Sequence, residues 1–283
     1  MTAPTVPLLV SGHHVAEYVV EPDVDPLHGP RPYLHPVRTL AGVVVSDAGP
    51  ADHPWHLGAS LSMQDVNGTN LWGGRTYVRG ADYLWLADHG RIVHVEWLER
   101  TDATLRSRLH WYDPSGRLLV VEESSLTAAP LAGRSDAWVL DVAYELRGGD
   151  DAAVKLGSPG SNGLPGSGYG GFFWRAASAS TPRVFTASTD DEREVNGSTG
   201  PWVAMVCADP VGAGATLVFT GLGDGDAWFV RAAQYPGVCV ALAFDEPRVI
   251  SPGAALRRRH RIAVVDGALD AAAAAALADG LTA

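Results

Sequence analysis

Residues able to carry out chemistry are concentrated in one segment, from position 31 to position 74. The residues of this segment that could take part in chemistry include His35, His53, His56, Asp52, Asp65, Asn67 and Trp72. Histidine titrates near neutral pH and is also the commonest metal ligand in proteins. The segment therefore predicts acid–base catalysis or metal binding.

His53 and His56 are three residues apart, with a proline between them. A straight strand would place them on opposite faces, but a bend at the proline, or the first turn of a helix, would bring them together. A convergent pair suits proton transfer. It also suits a divalent metal ion, with a third ligand from His35, His94 or a carboxylate. A structural role is the remaining alternative, in which one histidine caps the turn and the other packs on Trp55.

A second group of polar residues alternates along predicted strands. It comprises His94, Glu96, Arg106, Arg108, His110, Glu122, Asp141 and Glu145. Antiparallel sheets commonly leave one face in water, so a solvated surface is one interpretation. The other is a concave sheet that binds a sugar, which the nine tryptophans favour because sugars stack their C–H faces on aromatic rings.

The elements that must position these residues are mostly strands, because alternation of apolar and polar residues dominates the chain. Residues 104–112 and 117–126 form a predicted hairpin around a Pro-Ser-Gly turn. Further strand candidates are 5–10, 14–21, 39–47, 58–64, 71–79, 91–99, 136–147, 171–177, 201–208, 215–221, 227–234, 238–244 and 255–265. Residues 268–279 predict a helix, capped by Asp266 or Asp270. We expect one all-β domain over residues 1–283, a large antiparallel β-sandwich of the supersandwich kind with a short C-terminal α-helix.

A glycine-rich segment, residues 157–171, interrupts this pattern. Loops of this length inside a compact domain are usually functional, and we expect this one to act as a lid. Its G-x-G-x-x-G motif at 166–171 precedes a strand rather than a helix, which argues against a dinucleotide site.

The composition limits the class of protein. The chain has 283 residues, 46% of them hydrophobic and 19% charged, which excludes a disordered protein. A net charge of −11 argues against a nucleic-acid partner. The apolar runs are too short to cross a membrane, and the first residues lack a signal-peptide pattern, so we expect a cytoplasmic protein. The oligomeric state stays open, a homo-oligomer included.

Several motifs resemble those of a known family. They are RPY-x-HP at 31–36, HP-x-H-x-G at 53–58 and DVNG-x-x-x-WGG at 65–74, with later blocks at 90–97, 168–175, 228–238 and 260–267. Together they resemble the bacterial family labelled PmoA or methane oxygenase, a domain of unknown function. Many members have a histidine where this chain has Trp55. The resemblance implies a soluble sandwich similar to the galactose mutarotase type, and shared polar positions Arg31, His35, His53, His56, Asp65, Asn67, Trp72, His94 and Arg175.

We therefore predict an enzyme that acts on a sugar or an oxidised sugar derivative by acid–base chemistry, as an epimerase, mutarotase or lyase does. The predicted catalytic residues are His53, His56 and His94. The predicted substrate-binding residues are Arg31, His35, Asp65, Asn67, Trp72 and Arg175, the arginines binding a carboxylate and Trp72 stacking on the ring. One alternative is a metal-dependent oxidoreductase with His53 and His56 as ligands of a divalent metal. Another is a sugar-binding protein without catalysis.

Overall fold

A computed structural model describes residues 4–208 and 214–282. Within them the chain forms twenty β-strands, two α-helices and two short 3-10 helices (Pro26–His28 and Gly149–Asp151). The strands of the first half are β1 Thr5–Val10, β2 His13–Val19, β3 Tyr33–Val37, β4 Ala59–Ser62, β5 Asp65–Val66, β6 Thr76–Val78, β7 Asp82–Leu84, β8 Arg91–Arg100, β9 Thr104–Tyr112 and β10 Leu118–Pro130. The later elements are β11 Ala137–Gly148, β12 Val154–Gly157, β13 Gly171–Arg175, β14 Arg183–Phe185, α1 Glu192–Val195, β15 Trp202–Cys207, β16 Ala215–Thr220, β17 Ala227–Arg231, β18 Gly237–Ala241, β19 Arg248–Ile250, β20 Ala255–Asp266 and α2 Ala271–Thr282.

Two antiparallel sheets pack face to face. The seven-stranded sheet has the order β1-β2-β3-β4-β13-β18-β17, and the eight-stranded sheet has the order β14-β15-β16-β20-β11-β10-β9-β8. Their inner faces share one apolar core, to which Leu34 and Trp174 contribute from the first sheet and Leu140 and Ile262 from the second. The predicted antiparallel sandwich is therefore confirmed. Two smaller sheets, β19-β12-β5 and the hairpin β6-β7, lie outside it.

The outer face of the seven-stranded sheet carries a second apolar cluster. Along β13, Phe172 belongs to the central core, whereas its neighbour Phe173 belongs to the cluster outside. Successive strand residues point to opposite faces, so Arg175 lies on the same outer side as Phe173. The register places Phe173 opposite Cys239, and Cys239 opposite Phe229. These outward side chains form a rigid apolar floor.

The outer face of the eight-stranded sheet is partly covered by α2. The helix begins three residues later than predicted because Leu269 N–H donates to Thr216 Oγ1 (2.9 Å), which ties the preceding segment to the sheet. Asp270 caps the helix by accepting from Ala273 N–H (2.8 Å). Within the ranges described, no helix is long and apolar enough to span a membrane.

The predicted hairpin is confirmed by the antiparallel pairing of β9 with β10. The predicted strand at 39–47 is wrong. Thr39 N–H donates to the carbonyl of Val43 (2.9 Å), and Gly42 has a φ of +89°, so the apolar run forms a tight turn. One isolated β-bridge, between Arg38 and Val44, joins the two sides of this turn. The sequence also failed to predict the short strands β3, β5, β7, β12, β14 and β19.

The polar face predicted on β8–β11 exists, but Glu122 and His94 do not belong to it. A β-bulge between His94 and Glu96 places His94 opposite the buried Leu109, whereas Glu96 lies opposite Arg108. On the exposed side, Arg108 pairs with Glu96 and with Glu123. Continuing the pairing that starts at Leu118 would place Glu122 opposite Arg108, but a β-bulge after Leu118 shifts the register by one residue. Glu122 is therefore buried opposite Leu109, within the core.

Candidate functional site

A cavity of about 530 Å³ lies above the outer apolar floor of the seven-stranded sheet. This volume falls in the range of small-molecule sites. Four segments surround it: the turn at 53–56, the hairpin β6-β7 with its flanking residues, the glycine-rich loop, and the end of β17 with the turn that follows. The lining residues are His53, Trp55, His56, Trp72, Gly73, Arg75, Tyr83, Trp85, Ser167, Tyr169, Phe229, Arg231, Gln234 and Tyr235.

The segment around Pro54 brings His53 and His56 together by two tight turns. His53 N–H donates to the carbonyl of Pro50 (3.1 Å), and His56 N–H donates to the carbonyl of His53 (2.9 Å). The two imidazole rings stack with centroids 4.6 Å apart and an angle of 15° between their planes. The ring of Tyr235 contacts both imidazoles, with its centroid 4.7 Å from that of His53 and 4.8 Å from that of His56.

His53 is oriented by Asp52. Its Nδ1 lies 2.8 Å from Asp52 Oδ2. A carboxylate only accepts, so Nδ1 carries the proton and the free lone pair of neutral His53 is on Nε2. Arg175 Nη2 also donates to Asp52 (3.2 Å). Partial burial raises the pKa of Asp52, but the hydrogen bond from His53 and the charge of Arg175 outweigh it and hold that pKa below its ordinary value.

His56 has the opposite arrangement. Arg175 Nη1 donates to His56 Nδ1 (3.3 Å). A guanidinium only donates, so Nδ1 is unprotonated and Nε2 carries the hydrogen. Burial, followed by the nearby His53 and the positive charge of Arg175, lowers the pKa of His56 well below its ordinary value. His56 is therefore neutral near pH 7 and offers an N–H donor.

The two stacked rings thus have complementary roles. His53 offers a proton acceptor whose other nitrogen is held by a carboxylate, and His56 offers a neutral donor whose other nitrogen is held by a guanidinium. Ring lone pairs lie in the ring planes, so nearly parallel rings do not direct two nitrogens at one metal ion. In the parts of the chain that the structure describes, no group of three or more His, Cys, Asp or Glu residues could hold a metal. The arrangement favours proton transfer.

Tryptophans form the floor and one wall of the cavity. Trp72 is 2% exposed and contacts Tyr169 and Phe173, each with centroids 4.8 Å away. Gly74 has a φ of +71°, and a Cβ there would lie 2.6 Å from the ring of Trp55. Glycine at this position therefore lets the indole of Trp55 lie directly on the backbone. Trp72 lies in the floor, as the sequence predicted for a stacking residue, but little of its surface is free.

The hairpin β6-β7 forms the outer wall. Thr76 pairs with Leu84, so the flanking residues Arg75 and Trp85 face each other at its base, with the guanidinium 6.0 Å from the indole centroid. Trp85 is 51% exposed, which is unusual for a large aromatic side chain. The Tyr83 hydroxyl lies 3.2 Å from that of Tyr169, which joins the hairpin to the glycine-rich loop.

Arg31 is a structural residue. Its side chain is fully buried and donates to the carbonyls of Trp55 (3.1 Å) and Trp72 (3.0 Å) and to Ser60 Oγ (3.0 Å). Burial lowers its pKa to about 9. Arg31 therefore supports two tryptophans of the cavity and does not reach a ligand. Arg175 also lies behind the cavity wall, where it positions Asp52 and His56 rather than binding a carboxylate of the substrate.

The structure places His94 and His35 away from this cavity. His94 lies on β8, 4.3 Å from the ring of Trp97, and it does not line the cavity. His35 Nδ1 lies 2.9 Å from Ser46 Oγ. Period-two alternation assigned His94 to the face of Glu96, but the β-bulge between them places His94 on the other face.

Asp65 and Asn67 anchor loops. Asp65 accepts from Gly68 N–H (2.8 Å) and from Asn162 Nδ2 (3.0 Å), and Asn67 bonds the backbone before and within β12. Asn162 belongs to the glycine-rich loop, which Ser158 also fixes through the carbonyl of Ala243 (2.6 Å). The loop is therefore anchored at several points, and it contributes Ser167 and Tyr169 to the cavity wall.

Much of the cavity wall consists of residues that the sequence did not predict. Arg75, Tyr83, Trp85, Tyr169, Arg231, Gln234 and Tyr235 line the cavity but were not predicted as site residues. One signal was available, because the block at 228–238 is one of the motifs that resemble the known family, and it contains three of them. The register that brings β17 and β18 beside β13 could not be read from the sequence.

Comparisons with known proteins show the family to which this chain belongs. Residues 5–279 match the family described as "Family of unknown function (DUF6807)", and the chain belongs to this family. No curated protein matches the sequence. The solved structures that are similar to this chain at low identity include the following two.

The first is from Escherichia coli K12 and is described as a "Putative aldose 1-epimerase", with 9% identity, a TM-score of 0.43, and coverage of 94% of this chain and 99% of that chain. The second is an alpha-galactosidase from Lactobacillus brevis, with 11% identity, a TM-score of 0.34, and coverage of 93% of this chain and 39% of that chain. Similarity at this level says nothing about activity.

Proposed function

We propose that this protein is an acid–base enzyme that moves a proton on a sugar or an oxidised sugar, with His53 as the base and His56 as the hydrogen-bond donor. The observation that carries this proposal is the complementary tautomers of the stacked pair, which Asp52 and Arg175 impose. Paired groups with opposite proton states are what such chemistry requires. The resemblance to proteins labelled PmoA, and to mutarotase-type sandwiches, stays a prediction.

The reaction that this pair supports best is removal of a proton from the carbon beside a carbonyl. Nε2 of His53 takes the proton, and the electron pair of the C–H bond moves into a new C=C bond. The carbonyl oxygen gains negative charge, which the Nε2–H of His56 stabilises; a neutral imidazole serves this purpose without giving up its proton. Protonated His53 then gives the proton to the former carbonyl carbon, while the hydroxyl proton on the first carbon passes to the former carbonyl oxygen, and the result is an isomerisation. Return of the proton to the first carbon gives an epimerisation when the planar intermediate presents its opposite face to His53.

The walls of the cavity suit a polyhydroxylated ligand. Aromatic rings of Trp55, Trp85 and Tyr235 offer flat apolar surfaces, and Gln234 and Ser167 offer donors and acceptors. Sugars bind such mixed surfaces because their C–H faces stack while their hydroxyls fix orientation.

Proton exchange in D₂O tests the proposal. A panel of aldoses, ketoses and sugar acids is incubated with the protein, and loss of a C–H signal is followed by proton NMR, with polarimetry for mutarotation. We expect exchange for at least one compound and a loss of about 10²- to 10⁴-fold in His53→Gln. His14→Gln is the matched control, because that side chain is exposed on β2. Binding without exchange by any compound would favour a sugar-binding protein instead.

A further inference from the structure

The charges on the cavity wall are unusual for this protein. The chain carries a net charge of −11, yet the lining contains two arginines, two histidines and no aspartate or glutamate among the described residues. The nearest carboxylate of the histidine turn, Asp52, is engaged by His53 and Arg175. The cavity is therefore positively charged within an acidic protein.

Arg231 is held in place without being neutralised. Its terminal nitrogens donate to the carbonyls of Val230 and Gly166 (2.8 Å each), and its guanidinium lies 4.3 Å from the ring centroid of Phe229. These partners are neutral, so the positive charge stays uncompensated. Each terminal nitrogen uses one of its two hydrogens, which leaves donors for a ligand.

Arg75 faces the same space from the hairpin. Its guanidinium rests on the indole of Trp85 (6.0 Å), and it makes no hydrogen bond or ion pair with the residues described. Arginine readily stacks on an aromatic face while its planar fork stays free for an oxyanion. By contrast, Arg108, Arg258 and Arg259 are all paired with carboxylates.

We propose that the substrate is an anionic sugar whose carboxylate or phosphate is bound by Arg75 and Arg231. This inference rests on the proposed function for the identity of the site, and it adds the substrate class. Guanidinium groups that are already fixed in place bind an anion without a large reorganisation. Their positive charge also offsets the cost of moving the anion out of water into the cavity. A neutral sugar would leave both guanidinium groups without a counter-charge in the bound complex.

Calorimetric titration of matched pairs tests this. The probes are D-glucose with D-glucuronate, D-galactose with D-galacturonate, and D-glucose 6-phosphate, each at low and at high salt. We expect at least one acidic probe to bind about tenfold or more tightly than its neutral parent, with the preference lost in Arg75→Gln or Arg231→Gln. Arg91→Gln, which lies over Tyr112 outside the cavity, is the control and should keep it. The uronate and phosphate arms distinguish the two anionic groups.

Equal binding of acid and parent would overturn the inference, and so would the absence of binding by every acidic probe. Survival of the preference in both cavity variants would also reject it. The exchange assay separates these outcomes from failure of the proposed function. Selective binding of acids without proton exchange refutes the catalytic role and leaves the proposed ligand class intact. Proton exchange on neutral sugars alone supports the catalytic role and refutes the proposed ligand class.

Discussion

Glu122 provides the sharpest quantitative test of the structure. Its carboxyl is 2% exposed inside the sandwich, with Trp111 Nε1–H donating to Oε2 (2.8 Å). Burial raises its pKa from 4.5 to about 7, although the hydrogen bonds from Trp111 and Ser124 oppose the rise. The folded state therefore keeps a proton that the unfolded chain releases at lower pH.

The sign and size follow from linkage. A carboxyl whose pKa is raised in the folded state leaves the free energy of unfolding unchanged well below pH 4.5, where it is protonated in both states. It lowers that free energy progressively as the pH rises from 4.5 towards 7. At pH 8 the shift to about 7 corresponds to about 3 kcal/mol of lost unfolding free energy, against about 1 kcal/mol at pH 5. Glu122→Gln removes the ionisation and keeps the shape. We expect its stability advantage over the parent to grow by about 2 kcal/mol between pH 5 and pH 8.

Urea unfolding at pH 5, 6, 7 and 8 measures this difference, with equal m-values as the check that both proteins unfold alike. Glu123→Gln is the matched control, since the neighbouring side chain lies on the exposed face beside Arg108. That variant should differ from the parent by a small and constant amount. A Glu122→Gln difference that stays flat with pH would show that the buried carboxyl does not hold a proton, and the reasoning from burial would be refuted.

Three further predictions concern the site and its support. Nitrogen-15 NMR of the His56 ring should show protonated Nε2 and unprotonated Nδ1 at pH 8, and the same pattern while the pH falls through the range in which free imidazole becomes protonated, because burial lowers the pKa of His56; a ring that becomes doubly protonated together with free imidazole would contradict this. Gly74→Ala should lower stability by about 1–3 kcal/mol in chemical denaturation and shift the fluorescence of Trp55, because φ is positive and the new Cβ meets the indole. Asp226→Asn should lower the free energy of unfolding by about 3 kcal/mol in urea, because the Asp226 side chain is fully buried and the guanidinium of Arg258 loses its carboxylate partner. A loss below about 1 kcal/mol would be inconsistent with the ion pair.

Local rules were sufficient for much of the fold. The turn after Tyr112 was predictable because Pro114 and Gly116 fit a type I turn, and Asp113 Oδ1 indeed accepts from the backbone N–H of Ser115 (2.8 Å). Alternation of apolar and polar residues predicted the same first and last residues for β1 and β9 as the structure shows. It failed where a local backbone feature intervenes, as in the turn at 39–43 and at the bulge that buries Glu122.

The candidate site was only half predictable, for a physical reason. His53 and His56 lie in one short segment, so their proximity depends on local turns that a proline makes plausible. Arg175 and Tyr235 reach them through the register of β13 and β18, which depends on pairings between distant parts of the chain. His94 lies outside the cavity because β8 belongs to the eight-stranded sheet, and a β-bulge after His94 also turns it away from the face that alternation predicts.

The hairpin β6-β7 has a consequence for how this family can diversify. The stacked pair His53 and His56 is held against the sheet by Asp52 and Arg175, whereas Arg75, Tyr83 and Trp85 lie on or beside a two-stranded arm outside the sandwich. The arm can therefore be shortened, lengthened or recharged with little effect on the core. Grafting a different hairpin between residues 75 and 85 is accordingly a redesign that changes one wall of the cavity and leaves the histidine pair with Asp52 and Arg175 in place.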